Sequence, residues 1–405
     1  MGLGPSWLVG HAVADITPDL TAGPVYLAGY GVRPADGVRD PLAAHAVALR
    51  YGSVGVVIVS LDLLGLFHED CASLQGATRN ALGHAAPPVV VTCTHTHAGP
   101  DLLGLWGPDA RTRGVDDPCR ERVITAASDA AARAWQRARP AHLLVAAGRV
   151  EGVAHNSRDP GMLDPVLTLL SWATTASPHV PVLQVLHFAC HPEALGPADR
   201  RVSADLAGES RRRVAAESGC PCVFWQGALG GMVGPDARPG EEGEAALVRL
   251  GAALGAAAGC LVPALRPDAG GLALARRSVA LPQTNPHFAA GRAAGIIHRP
   301  VLDGTGEPPM VASSAGLLRL GPYLFHLAPG EVLPAVARAW DHGSRAALPG
   351  LEPRVLGLCD DEVGYILQEE DFTPGRYEES VSLGPRTAAL LGAAYAELRA
   401  TVSGP

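Results

Sequence analysis

Val89-Val90-Val91-Thr92-Cys93-Thr94-His95-Thr96-His97-Ala98-Gly99-Pro100 is the stretch from which the rest of the chain can be read outward. Pro87-Pro88 bounds it upstream, and its β-branched apolar run has the residue types of a strand. Gly99-Pro100 ends any regular element. Between run and stop stand two histidines spaced i, i+2. A continuing strand would carry both on one side, because side chains alternate with period two. Two imidazoles delivered together at the mouth of a strand begin a zinc site; a plain surface strand end is the competing reading.

Upstream, Val54 to Leu61 is an apolar run of the kind covered on both faces, and it ends in Asp62. Asp62 reads either as a cap for a helix over 66–83 or as a carboxylate at the same sheet edge as His95. Strands over Leu8–Asp15 and Asp40–Tyr51 complete a β-rich opening. Downstream, a Gly- and Pro-rich loop over 101–114 carries Trp106, which suits a substrate wall or the core. Asp116-Asp117-Pro118 starts a helix running to about Arg137. Val145 to Val153 reads as a strand leading to His155-Asn156-Ser157-Arg158. Two more strands, 164–172 and 182–190, face each other across a turn at Ser177-Pro178, and the second stops at His191-Pro192-Glu193.

Val202-Ser203-Ala204-Asp205 precedes a helix over 206–217, whose Arg211-Arg212-Arg213 run reads as its wet face. The strand Cys222–Gln226 enters a Gly-rich turn through Gly227 and Gly230. That turn lacks the Lys-Ser/Thr ending of a phosphate loop, but free backbone N–H groups there would suit an oxyanion. A helix over 241–262, a strand over 272–281 and an irregular stretch over 282–312 follow. A hairpin turns at Gly321-Pro322. Glu331 then opens a helix over 332–341, where a glutamate in the first turn is ordinary capping chemistry. The last strand, 355–359, leads to Asp360-Asp361-Glu362-Val363-Gly364-Tyr365. A polar loop with Tyr377-Glu378 and a helix over 387–401 close the sequence.

Composition narrows the classes. The chain has 405 residues, 47% hydrophobic and 18% charged, which fits a well-buried globular protein. A net charge of −8 argues against a nucleic-acid partner. The first residues lack a basic, then apolar, leader, and no uninterrupted apolar run approaches the ~20 residues of a membrane span. The eight cysteines form no paired CxxC knuckles and read as reduced core residues. A cytoplasmic enzyme with no stable membrane association is the expectation.

Strands alternating with helices predict an α/β protein with mixed β-sheet layers flanked by helices. Ligands in such sheets collect beyond the carboxyl ends of strands. Asp62, His95, His97, His191, Glu331 and Tyr365 fall at or just past such ends. Two histidines and a glutamate suit zinc, and an open position for water makes the site hydrolytic.

At this point the sequence resembles the N-terminal catalytic domain of neutral/alkaline non-lysosomal ceramidases. The resemblance rests on Ala14-Asp15-Ile16-Thr17-Pro18, Ser60-Leu61-Asp62, Thr94-His95-Thr96-His97-Ala98-Gly99-Pro100, Asn156-Ser157-Arg158, His191-Pro192, Val202-Ser203-Ala204-Asp205, Pro329-Gly330-Glu331, and Gly364-Tyr365 with Tyr377-Glu378. It implies a single catalytic domain over 1–405, without the family's C-terminal immunoglobulin-like domain. It also implies zinc held by His95, His191, Glu331 and Tyr365. His97, Tyr377 and Arg158 would face the substrate, to stabilise an oxyanion or protonate a leaving amine. Asp62 and Asp205 would orient the ligands. Independently of the resemblance, the residue types place Trp106, Gly227 and Gly230 near the substrate. The sequence departs from the family at Gly227–Gly231, where a serine-bearing loop is usual, at Ser157 inside the Asn-Arg pair, and at Glu193, a base candidate beside His191.

The expected function is therefore zinc-dependent cleavage of a linear amide in a small or medium-sized N-acyl compound, in a biosynthetic setting. Esters, lactones or acyl transfer to an internal amine pass through the same tetrahedral intermediate and remain alternatives. So does a non-catalytic ligand-binding role. Homo-oligomerisation is left open.

Overall fold

A computed structural model describes residues 7–177, 180–267, 270–302 and 308–403. Eight strands build the main sheet: β1 (Trp7–Asp15), β2 (Ala43–Tyr51), β3 (Val54–Leu61), β4 (Val89–Cys93), β5 (Arg139–Arg149), β6 (Val166–Thr174), β7 (Pro181–Phe188) and β8 (Cys222–Gln226). Their spatial order is β8-β7-β6-β5-β1-β2-β3-β4, with the two-residue strand Arg266–Pro267 added to β5. Only the outermost pairs, β8 with β7 and β3 with β4, are parallel. The two ends of the sheet also approach one another: Ser60 Oγ donates to the Phe224 carbonyl at 2.8 Å.

The period-two alternation of these strands divides the core in two. Val57, Val59, Val91, Leu186 and Phe224 face one way. There they meet helices α1 (His68–Leu82), α2 (Asp117–Gln136), α3 (Asp205–Ser218) and α4 (Gly243–Leu261), through Leu74, Val123, Val214 and Leu250 among others. Val56, Ile58, Val90, Val185 and Trp225 face the other way, onto a second sheet. That sheet comprises β9 (Leu272–Pro282), β10 (Met310–Leu320), β11 (Tyr323–Leu327) and β12 (Glu352–Leu356). Its outer face carries Leu317 and Leu324 against Trp340 of helix α6 (Pro334–Ala347) and Tyr395 of α7 (Thr387–Val402). A shorter helix, α5 (Pro286–Ala293), precedes α6 in the chain. The layers run helix, sheet, sheet, helix, and runs apolar on both faces are what this stacking requires.

Several expectations need correction. The strand read over 145–153 begins at Arg139, because Arg139-Pro140-Ala141 pairs with β1 even though Pro140 reads as a break. The stretch over 282–312 contains α5, which Asn285 caps by accepting the His287 amide. Glu331 caps no helix: Glu331–Val332 is a short strand parallel to Tyr365–Ile366, and α6 starts at Pro334. Arg211 is buried against Asp62 and leaves the wet face to Arg212 and Arg213. Asp62 is likewise no cap, since the His68 amide donates to Asp361 instead. Of the turn expected at Ser177-Pro178, Pro178 lies outside the described residues.

The span Gly243–Ala264, containing α4, is long and apolar enough to cross a membrane by length and composition. Ala246, Leu247, Leu250 and Leu254 on it are nonetheless fully buried in the core. All eight cysteines are free, and every one except Cys260 is buried.

Candidate metal centre

Two strand ends and one short strand deliver the site. β4 stops at Cys93, and His95 takes a left-handed backbone conformation (φ 71°). His95 and His97 therefore converge through a turn and not through the pleat of a continuing strand. The conformation is costly for a non-glycine residue. Hydrogen bonds hold it: the His95 amide donates to the Leu63 carbonyl at 2.9 Å, and Nδ1 meets the Leu64 carbonyl at 2.8 Å. β7 stops at Phe188, and His191 follows with Nδ1 2.9 Å from the Val233 carbonyl. In both rings Nδ1 is engaged by backbone, so Nε2 is the free end. Both free ends face one carboxylate oxygen: Glu331 Oε2 lies 3.0 Å from His191 Nε2 and 3.6 Å from His95 Nε2.

Pairing of Glu331 with Tyr365 in the short parallel ladder sets the tyrosine beside the glutamate. Tyr365 is buried, its hydroxyl 3.4 Å from the Met232 sulfur. His97 completes a group of three imidazoles whose ligand atoms lie within 4.8 Å of one another. Among the described residues neither of its ring nitrogens has a hydrogen-bond partner, though Glu193 Oε2 stands 3.4 Å from Nδ1 and accepts the Tyr30 hydroxyl at 2.7 Å. Gly29 makes room for the ring: a Cβ there would lie 2.4 Å from His97 Cγ.

The electrostatics of the protein without a cation follow from burial. Desolvation pulls His95 down to about 4 and His97 well below its ordinary value. Burial also disfavours charge on His191, but the hydrogen bond and charge of Glu331 outweigh it and raise His191 to about 9. Glu331 feels the same burial, yet His95 and His191 hold it below the usual carboxylate range. One proton thus sits between His191 and Glu331, where a cation would satisfy the same groups. Backbone-fixed Nδ1 atoms and Nε2 atoms turned onto a carboxylate are the arrangement metal-binding histidines require. The residues present fit a divalent metal.

The carboxylates expected to orient the ligands act on backbone, not on rings. Asp62 is fully buried, pairs with Arg211 and accepts the Ala43 amide at 2.8 Å. It reaches the His95 segment only through Thr94 Oγ1, at 3.4 Å. Asp205 accepts the amides of Ala194 and Leu195, just past His191. Gln226, which the sequence reading passed over, binds both ligand segments. Its Nε2 donates to the carbonyls of Thr94 (2.8 Å) and Cys190 (2.9 Å), and Oε1 accepts the Cys190 amide at 3.1 Å. A lone glutamine ending a fully apolar strand was the available signal.

Beyond the histidines opens a narrow cavity. Leu64, Phe67, Leu103, Leu105, Trp106, Phe288 and Val381 make its apolar wall; His95, His97, Glu331, Glu362, Tyr365 and Tyr377 supply its polar atoms. Trp106 is thus a wall residue. The Tyr377 ring centroid is 6.0 Å from that of Tyr365. Arg158 is not among the lining residues. Its guanidinium is held by Glu378 (3.0 Å) and Glu379 (2.7 Å) on the helical turn Tyr377–Ser380. Gly227 and Gly230 do not line the cavity either, and their amides are not free for an oxyanion. The first donates to the Phe188 carbonyl and the second to Val332, both at 2.9 Å.

No family model matches the sequence, and no curated protein matches it. Solved structures do. The crystal structure of neutral ceramidase from Pseudomonas aeruginosa superposes with a TM-score of 0.81 at 17% identity, covering 98% of this chain and 74% of that one. A ceramidase complexed with C2 gives a TM-score of 0.80, also at 17% identity, covering 98% and 75%. The chain has a neutral ceramidase-like fold.

Proposed function

We propose that the protein is a zinc-dependent hydrolase that cleaves the amide bond of a small or medium-sized N-acyl substrate. The observation that carries this reading is the convergence of His95 Nε2 and His191 Nε2 on one oxygen of Glu331 at the edge of an apolar cavity. In this reading His95, His191 and Glu331 hold the metal, with Tyr365, paired beside Glu331 on the neighbouring strand, as the fourth ligand. Bound there, zinc supplies Lewis acidity toward water and a carbonyl oxygen.

The chain's own residues supply the rest. His97 is neutral at ordinary pH and has both ring nitrogens without hydrogen-bond partners. It can therefore accept a proton from the attacking water and pass it to the leaving nitrogen. Tyr377 keeps its hydroxyl proton, since partial desolvation and then Glu331 make it a weaker acid, and it can donate to the developing oxyanion. Arg158 acts at one remove, holding the Tyr377–Ser380 turn through Glu378 and Glu379. Phe67, Leu103, Trp106 and Phe288 enclose an apolar acyl or aryl group and exclude water.

Elemental analysis after zinc exposure tests the centre, and a panel of N-acyl amines with matched esters tests the chemistry. About one zinc per chain and turnover of amides are expected. His97→Ala should keep the metal while amide hydrolysis falls by about 10²- to 10⁴-fold, the usual worth of a proton-transfer group. Loss of zinc in that variant would make His97 a ligand. A folded wild type that takes up no metal would sink the hydrolase reading in favour of ligand binding.

A further inference from the structure

Glu362 lines the same cavity as His95, His97 and Glu331 but takes no part in the metal centre described above. It is only 5% exposed. Its Oε1 accepts the Gly364 amide at 2.8 Å, while Oε2 is buried and has no hydrogen-bond partner among the described residues. The preceding Asp361 differs in this respect: Arg299 pairs with it, and Ser313 donates to it at 2.6 Å.

The seat of Glu362 is close-packed. Gly65 lies beneath it, and a Cβ at position 65 would come within 2.9 Å of Glu362 Cβ and Cγ and 3.2 Å of Oε2. The Gly364 amide fixes one oxygen and leaves the other without a donor. Burial, with Glu331 nearby, favours the protonated form of Glu362 while the cavity is empty, and a cation entering the site would favour the carboxylate. None of the described residues lining the cavity is a lysine or arginine, and the second cavity carboxylate, Glu331, is committed to the histidines. Arg299 donates to the Glu362 carbonyl at 3.4 Å and pairs with Asp361, so among the described residues Oε2 is left for a donor that enters the cavity.

We infer that Glu362 is a specificity-determining residue that binds a protonated amine on the substrate, so the preferred N-acyl compound carries a second, basic nitrogen away from the scissile amide. The inference rests on reading this cavity as the substrate site of the proposed hydrolase. The apolar wall takes the hydrocarbon part of such a substrate, and the ammonium reaches Oε2. A charge-assisted hydrogen bond of this kind is worth about 10- to 100-fold in affinity.

Two probes of equal length, hexylammonium and 1-hexanol, separate this contact from chemistry. Their binding is measured by calorimetry to zinc-loaded and metal-free protein, the latter removing direct amine–metal contact. Wild type should prefer hexylammonium by at least about tenfold in both forms. Glu362→Gln should erase the preference. So should Gly65→Ala, which keeps the carboxylate in the chain but crowds its seat. In a matched pair of amides ending in ammonium or methyl, the kcat/KM ratio should fall at least about tenfold in Glu362→Gln, mainly through KM. Equal binding of the probes, a preference for hexanol, or a preference that survives both variants would overturn the inference. If the ammonium preference stands but no amide is turned over, the hydrolase reading fails and the amine site remains. If amides are turned over without discrimination, the reverse holds.

Discussion

His187 and His191 lie four residues apart, both fully enclosed, and the fold uses them in opposite ways. His187 is still inside β7, on the face that meets the second sheet. Its Nε2 reaches the Val355 carbonyl at 2.6 Å, and its ring packs edge-on to Phe325 at 5.4 Å. It joins two sheets and touches no carboxylate. His191 is past the strand end, where backbone takes Nδ1 and leaves Nε2 facing Glu331. Burial pulls both imidazoles toward the neutral form. It wins at His187, which sits at about 4, and loses at His191, which the carboxylate raises to about 9. Burial alone therefore does not mark a functional histidine. What sets His191 apart is a clamped Nδ1 with Nε2 turned onto an acid.

The largest test of that contrast is substitution of each histidine. His191→Ala should lose the bound metal and lower hydrolysis by at least about 10³-fold, or roughly 4 kcal/mol of transition-state stabilisation. His187→Gln should keep about one metal per chain and lower the thermal midpoint instead. Metal analysis, amide turnover and thermal unfolding are read on both variants. A His187 variant that loses metal, or a His191 variant that retains it, breaks the comparison.

Gln226 sharpens it, because this side chain grips Cys190, between the two histidines, and ties it to Thr94 ahead of His95. Gln226→Leu is close in size but removes every one of these bonds. Zinc affinity should weaken by about 10- to 100-fold, the usual effect of removing a group that orients metal ligands. Stability should drop by about 1–3 kcal/mol from buried groups left unpaired. Competition with a chromophoric chelator and denaturant unfolding measure the two effects. Unchanged zinc affinity would mean that the carbonyls of Leu64 and Val233 position the histidines unaided.

Much of this was legible in the sequence. β4 and β7 announce themselves by apolar runs that stop at histidines, so strand ends carrying candidate ligands could be read directly. What could not be read depended on partners distant in sequence. Glu331 looked like a helix cap because only the pairing of 331–332 with 365–366 makes it a strand residue. Arg211 sat in an arginine run that reads as solvent-facing, and its partner Asp62 is 149 residues away. Glu362 closes an acidic triplet after a strand, a pattern typical of a wet loop; its burial depends on packing over Gly65. Arg158 was assigned to the substrate by resemblance, and the glycine turn by its backbone N–H groups. In the fold, the arginine is taken up by two glutamates and the glycine amides by neighbouring carbonyls.

The smallest effect is the acid response of His187. Its folded-state value of about 4 lies below the ordinary 6.5, burial being the main cause. The unfolded chain therefore binds a proton near pH 6.5 that the folded protein refuses until about pH 4. By linkage, stability present above pH 6.5 is lost as pH falls through that window, and the loss levels off below it. For one histidine this amounts to about 1 kcal/mol at pH 5.5 and at most about 3 kcal/mol at pH 4. His11 and His326, also held at about 4 by burial, steepen the same slope. Only the difference between wild type and His187→Gln therefore isolates His187. Unfolding free energies of metal-free protein at pH 7.5 and 5.5 should converge by about 1 kcal/mol on acidification, because the variant has no proton to refuse. Parallel losses in the two proteins would mean that the His187 ring takes up its proton inside the core, and its contrast with His191 would lose its electrostatic half.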